Sequence, residues 1–178
     1  TEDIFTGASH PMPTGRIYGG QVLAQSLIAA ERTLPEDRPV HSMHGYFLRP
    51  GDSAQGITIA VDRIHDGRSF PTRRPQAYQN GVPIFSMIAS FQDEDPGLDH
   101  AVPMPEGVAE PESLRPDEER VEGLPQGIAR MLSERAVDVR HLGDPLWLPT
   151  ADETAAHQGV WMRMRAAMPD DPRLHRAA

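Results

Sequence analysis

Two residue types are missing from this 178-residue chain: it has no cysteine and no lysine. The first absence removes thiol nucleophiles, disulfides and cysteine-ligated zinc. The second removes lysine Schiff bases and the lysine of a phosphate-binding P-loop. Basic charge is also scarce, with 17 arginines against 26 acidic residues and a net charge of −9. A nucleic-acid binder needs a basic face to displace counterions from phosphate, so that class is disfavoured. No apolar run approaches the ~20 residues of a membrane span, and the N-terminal residues carry no signal-peptide pattern. Together these absences imply a soluble, acidic, cytoplasmic protein of one domain, or one domain and part of a second.

What is present is ordered by hydrophobic period. From Gln21 to Leu34 the residues Leu23, Leu27, Ala30 and Leu34 share one helical face, and Pro35 ends the run. Val22, Ala24, Ile28 and Ala29 make this helix apolar around most of its girth, which predicts burial on several sides. Extended segments follow at Val40 to Leu48, Ile57 to Ile64, Ser69 to Gln79 and Val82 to Gln92. In the second, Ile57, Ile59 and Val61 alternate with Thr58, Ala60 and Asp62; in the last, Phe85, Met87, Ala89 and Phe91 share a face. Asp66-Gly67 and Asn80-Gly81 read as type I′ turns between them, so the segments predict an antiparallel meander. Pro71, Pro75 and Pro83 belong at an edge, a bulge or a strand start, because proline donates nothing to a ladder.

Asp93 to Glu119 holds ten acidic residues, one arginine and five prolines, the composition of a solvated linker. A short helix at Gln126 to Arg135 precedes strand-like Val137 to Leu142 and Val160 to Ala166. Asp170-Asp171-Pro172 then begins a helix, with only six residues after the proline. So short a helix needs tertiary support, and two strands cannot bury a core alone. The expectation is a chain that is the front part of a longer protein. It associates with copies of itself through sheet edges or through apolar Trp161, Met162 and Met164.

Several blocks can be read together: Tyr18-Gly19-Gly20-Gln21-Val22-Leu23-Ala24-Gln25, the run His41 to Asp52, Asp66-Gly67-Arg68-Ser69-Phe70, Arg73-Arg74, and Pro83 to Gln92. They resemble the bacterial type II acyl-CoA thioesterase family from about Ile4 onward. That resemblance implies an α+β double hot-dog, each module an antiparallel sheet wrapped around a long central helix. It divides the chain into a first module at 1–92, an acidic Pro-rich linker with a short helix at 93–135, and an incomplete start of a second module at 136–178. It also implies hydrolysis of fatty acyl-CoA to free fatty acid and CoA, with no cofactor and no metal. The family's water-activating Asp, Thr or Ser, and Gln lie in the second module, the Asp on its central helix beyond Ala178, and none can be placed on this chain.

Thioester hydrolysis needs an activated water and donors for the developing oxyanion. Gly19 and Gly20, with Gln21, open the buried helix, where free amides and the positive dipole end coincide. The same glycines equally serve a tight turn and close packing. His41 and His44 fall on opposite faces of a strand and cannot readily share a metal. The resemblance singles out His41, as a catalytic candidate or as a hydrogen-bonded structural histidine. Arg49 most simply belongs to the turn that ends its strand. Arg68, Arg73 and Arg74 are candidates for CoA phosphates, which must approach a protein of charge −9. Arg73 and Arg74 face opposite ways, so one groove receives at most one of them. Phe70, with Phe85, Met87 and Phe91, lines an acyl tunnel or fills the core. Pro75 stands where the family pattern has a β-branched residue.

Overall fold

The computed structural model describes residues 3–35, 38–148 and 157–178. They form two compact units: residues through Gly97 together with Pro169–Ala178, and Leu98–Met168. The segment expected at 136–178 is therefore divided between the two. Among the described residues no helix is long and apolar enough to cross a membrane.

In the first unit β1 (Ile4–Gly7), β2 (Val40–Phe47), β3 (Ile57–His65), β4 (Thr72–Gln79) and β5 (Val82–Phe91) form one antiparallel sheet. The strand order is β1-β3-β4-β5-β2. The helix α1 (Gly19–Glu31) packs across it. Strict alternation makes this possible: Ile57, Ile59 and Val61 of β3, and Phe85, Met87, Ala89 and Phe91 of β5, are all buried beneath the helix. The helix presents Val22, Ser26, Leu27, Ala29, Ala30 and Glu31 inward. Leu23 and Leu34, expected on that face, lie half-buried at its margin. Ser26, Ala29 and Ala30 on the inward face are small and allow the close approach.

Asn80 and Gly81 both have positive φ, 49° and 75°, the type I′ turn expected from the dipeptide. Asp66-Gly67 departs from expectation. Neither has positive φ, and the β3–β4 connection runs from His65 to Thr72, so β4 starts three residues late. Asp66 turns its carboxylate toward Arg73, and Gly67 lies against the His65 ring. Pro71 precedes β4, and Pro83 lies where the β4–β5 register shifts, as expected. Pro75 does not: it sits buried in β4, the middle strand. It pairs with Val61 on one side, while the β4–β5 ladder passes from Arg73↔Ala89 to Gln76↔Ser86. The sheet tolerates proline there by forgoing one local pairing rather than by exiling it to an edge.

The short α3 (Pro172–Ala177) finds its support on α1. Asp171 caps it by accepting from the Arg173 amide at 2.9 Å. Arg176 Nε lies 3.2 Å from Oε1 of buried Glu31, and Ala177 packs against the core.

The second unit holds α2 (Gln126–Ser133) and a ribbon of β6 (Val137–His141) and β7 (Val160–Met164). Of the acidic stretch expected to be solvated, residues 93–107 are exposed throughout, whereas the part from Ala109 to Asp117 is laced to this ribbon. Arg140 donates to the carbonyls of Pro111 and Leu114, Trp161 to that of Ala109, and Arg163 reaches Glu112. Asp117 is buried between Arg135 and His141 Nδ1. Leu132 and Pro145 are among the few side chains this unit buries, so polar contacts replace the core that two strands cannot build.

Hydrogen bonding from Arg140 leads the causes that hold Asp138 below the usual carboxylate range, and Arg163 adds to it. A lowered pKa stabilises the fold above the unfolded value, near 3.9, and that stability is lost as pH falls through the folded pKa. Hydrogen-exchange protection of the β6–β7 amides should therefore fall as pH drops below about 4, ahead of that of β3–β5. Equal loss in both sheets would contradict this ordering.

Candidate active site at the start of the central helix

The helix α1 begins without a side-chain cap and with no acidic residue in its first turn. The amides of Gly19 and Gly20 have no intrahelical acceptor, and the dipole makes this end positive. Beside it opens a cavity of about 280 Å³, lined by Gly19 and Val22 of α1, Phe47 of β2, Ile84 of β5, and Ile17 and the Leu48 to Gly51 turn. Arg49 is the one charged side chain in that lining, and its Nη1 donates to the Pro83 carbonyl at 2.9 Å. The walls are fixed by backbone pairing: Ile17 N–H to Gly51 O at 2.9 Å and Leu48 N–H to Ile84 O at 2.8 Å. Gln79, buried at the end of β4, binds both the amide and the carbonyl of Asp52.

Each glycine lies against an aromatic ring. A methyl on Gly19 would come within 3.0 Å of the Phe47 ring, and one on Gly20 within 2.5 Å of the Tyr18 ring. Gln21 is occupied with the chain that crosses the helix start. Its amide donates to Ala8 O at 2.9 Å and accepts from the His10 amide at 3.1 Å. Gln25, one turn on, donates to the same Ala8 carbonyl.

The remaining candidates gather at the other end of the helix, about 20 Å away for 13 residues at 1.5 Å each. There His41 meets Phe70 edge-on with ring centroids 6.0 Å apart, and its Nδ1 lies 3.3 Å from Ser42 Oγ. Arg38 donates to the Arg68 carbonyl, which ties the 66–71 connection to the approach to β2. A single module therefore separates Gly19, Gly20 and Gln21 from His41, Arg68 and Phe70. His44 turns away from His41 and meets Tyr46 edge-on. Among the described residues no group of three or more His, Asp or Glu side chains is placed to hold a metal ion.

Arg73 requires a correction. Expected at a CoA groove, it is fully buried. Its guanidinium donates to Thr33 Oγ1 at 2.7 Å, to the carbonyls of His65 and Thr72 at 2.9 and 3.0 Å, and to Thr33 O and Asp66. Arg74, on the opposite face as expected, is half-exposed and paired with Asp62.

Residues 8–92 match the family model described as the acyl-CoA thioesterase N-terminal domain. Acyl-CoA thioesterase 2 of Haemophilus influenzae is 32% identical over 96% of this chain and 61% of its own length. An acyl-CoA thioesterase II from Mycobacterium marinum superposes with a TM-score of 0.68 at 39% identity, over 99% of this chain and 59% of that one. Residues 8–92 form a domain of the acyl-CoA thioesterase family. Its fold is the hot-dog: a protein of that fold from Alicyclobacillus acidocaldarius aligns over 98% of this chain and 62% of its own, with TM-score 0.72 at 19% identity. The alignments span between 23% and 61% of the length of the curated relatives matched.

Within the thioesterase module, sequence reasoning missed Phe47 and Tyr18, the rings that cover the two glycines. An aromatic two residues after Gly45 and another just before Gly19 were the available signals. It also missed the buried role of Arg73, which its neighbour's charge masked. Replacing Arg73 with alanine leaves buried Thr33 and several carbonyls without their donor, and should cost about 3 kcal/mol. Arg74→Ala removes an exposed pair and should cost less than about 1 kcal/mol. Urea denaturation of both variants checks this, and equal costs would return Arg73 to the surface roles.

Proposed function

We propose that this chain supplies the acyl-binding part of a thioesterase that hydrolyses fatty acyl-CoA to free fatty acid and CoA. The observation that carries the reading is the apolar cavity at an uncapped helix start, within the segment matching the thioesterase domain. An acyl chain fits the Ile17, Val22, Phe47 and Ile84 walls by desolvation, and the thioester oxygen lies toward the Gly19 and Gly20 amides. Arg49 offers positive charge at the mouth for an anionic substrate. Arg68, exposed at the far end of the module, is available to CoA only in a site that a second module or copy completes.

No residue lining the cavity carries a carboxylate or a hydroxyl. The general base that activates water therefore comes from outside it, and we assign it to the Asp, Thr or Ser, and Gln that the resemblance puts beyond Ala178. The same feature supports a second reading, a non-hydrolytic acyl-CoA-binding module of the same fold.

The test is thiol release from a panel of short- to long-chain acyl-CoAs, by this chain and by a C-terminally extended form. Because the chain has no cysteine, its free thiol signal is liberated CoA. Turnover only by the extended form is the expected result. Turnover by the 178-residue chain would bring His41 and the helix start forward as the catalytic groups. Absence of turnover in both, with acyl-CoA bound in calorimetry, would favour the binding module.

A further inference from the structure

The turn that closes one side of the cavity is held from behind by a single side chain. Gln79 is buried at the end of β4 and is not part of the cavity lining. Its backbone is fixed by pairing with Val82 across the Asn80-Gly81 turn, so its carboxamide stands on a rigid base. Oε1 accepts from the Asp52 amide at 2.8 Å, and Nε2 donates to the carbonyls of Asp52 and Gln55 at 2.9 and 3.1 Å. The carboxamide thus stands in for a peptide group, giving the turn the donor and the acceptor that a further strand would supply. Asn80, next in the chain, adds a contact from Nδ2 to Gln55 Oε1 at 2.8 Å.

That pairing reaches the cavity through the residues on either side of Asp52. The Gly51 carbonyl accepts from the Ile17 amide at 2.9 Å, and the Ser53 amide donates to the Gly15 carbonyl at 3.0 Å. Ile17 and Gly51 are both walls of the cavity, and α1 begins two residues after Ile17. The fit around Gly51 is tight. A methyl there would lie 2.9 Å from Ile17 Cδ1, 3.1 Å from Ile84 Cδ1 and 3.3 Å from Gln79 Oε1. Two cavity walls and the carboxamide therefore converge on one α-carbon, and only the carboxamide approaches it from outside the lining. Without it the Asp52 amide loses its acceptor, and the turn can shift Gly51 and Ile17 together.

We propose that Gln79 is a positioning residue of the acyl site: by holding the Asp52 peptide it sets where Gly51 and Ile17 stand in the cavity wall. This inference rests on the acyl-CoA reading above. Gln79 acts through the turn and takes no part in proton transfer.

Steady-state thiol release by the C-terminally extended form tests it, on the wild type, Gln79→Met, Gln79→Glu and a control, Ile59→Val. Methionine keeps the length of the side chain and removes both the donor and the strong acceptor, whereas glutamate keeps the acceptor for the Asp52 amide and removes the donors. Ile59 is buried in the core away from the cavity lining, so its valine variant lowers stability without touching the turn. Gln79→Met should raise KM for acyl-CoA about tenfold, the fold-change of roughly one net hydrogen bond, with kcat held within about twofold. Gln79→Glu should raise KM in the same direction, and Ile59→Val should leave both constants within about twofold. Where acyl-CoA binds without turnover, the dissociation constant from calorimetry takes the place of KM. A KM rise of the same size in Ile59→Val, an unchanged KM in both Gln79 variants, or a fall in kcat alone would overturn the positioning role while leaving the acyl-CoA reading intact. Failure of both Gln79 variants to fold, seen by circular dichroism, would make the residue structural and overturn it too; if only the methionine variant fails, the glutamate variant decides. An extended wild type that neither binds nor turns over any acyl-CoA would overturn the acyl-CoA reading, and this inference with it.

Discussion

A guanidinium with no access to water must place every donor on protein, and Arg73 does so at the centre of the sheet. Its acceptors come from the end of α1 at Thr33, the end of β3 at His65, the start of β4 at Thr72, and Asp66 in the connection between those strands. Leaving a guanidinium donor unmatched would strand a buried charged group at a cost comparable to a good part of a domain's stability. The arrangement is therefore close to all-or-none. It fixes the last turn of the helix against the middle strand, and the rigid helix carries that constraint to its other end. Where Gly19 and Gly20 stand relative to Phe47, Ile84 and the Gly51 turn follows from where Arg73 holds Thr33.

The two ends of α1 then divide the labour. The end at Thr33 is built from charge and backbone carbonyls, and it orients the 66–71 connection that sets Phe70 beside His41. The end at Gly19 is apolar, uncapped and positive, which suits a carbonyl oxygen and a hydrocarbon chain. Gln21 and Gln25 both reach the Ala8 carbonyl, so the chain leading into the helix is pinned across its first two turns. That pinning keeps Ile17 in the cavity wall. The chemistry proposed for this end asks only for binding and polarisation, and both are what an exposed helix start supplies.

Much of this was legible before any coordinates. Alternation in Ile57 to Val61 and in Phe85 to Phe91 marks the inner face of the sheet because strand period and burial are the same fact. Asn80-Gly81 marks its turn because few other residues tolerate two positive φ angles in succession. Asp66-Gly67 misleads for a physical reason: a dipeptide reports local preference, and the distant Arg73 outbids it with a charged hydrogen bond. Pro75 misleads in the same way, since a missing donor is tolerated wherever the neighbouring strand can forgo one pairing. The acidic stretch is solvated as read through residue 107, but its second half is not, because its partners Arg140, Arg163 and Arg165 lie far along the sequence. Of the candidate site, the helix start was readable from Gly19-Gly20. The separation of His41, Arg68 and Phe70 from it was not, because strand order, which decides it, leaves no local trace.

The central claim is that acyl-CoA meets this chain at the start of α1. Amide chemical-shift perturbation on the isotopically labelled chain, titrated with an acyl-CoA, tests it most directly. The account predicts the largest shifts at Gly19 to Val22, Phe47 to Gly51 and Ile84. Shifts confined to His41, the 66–71 connection and Arg74, with the helix start unmoved, would contradict it.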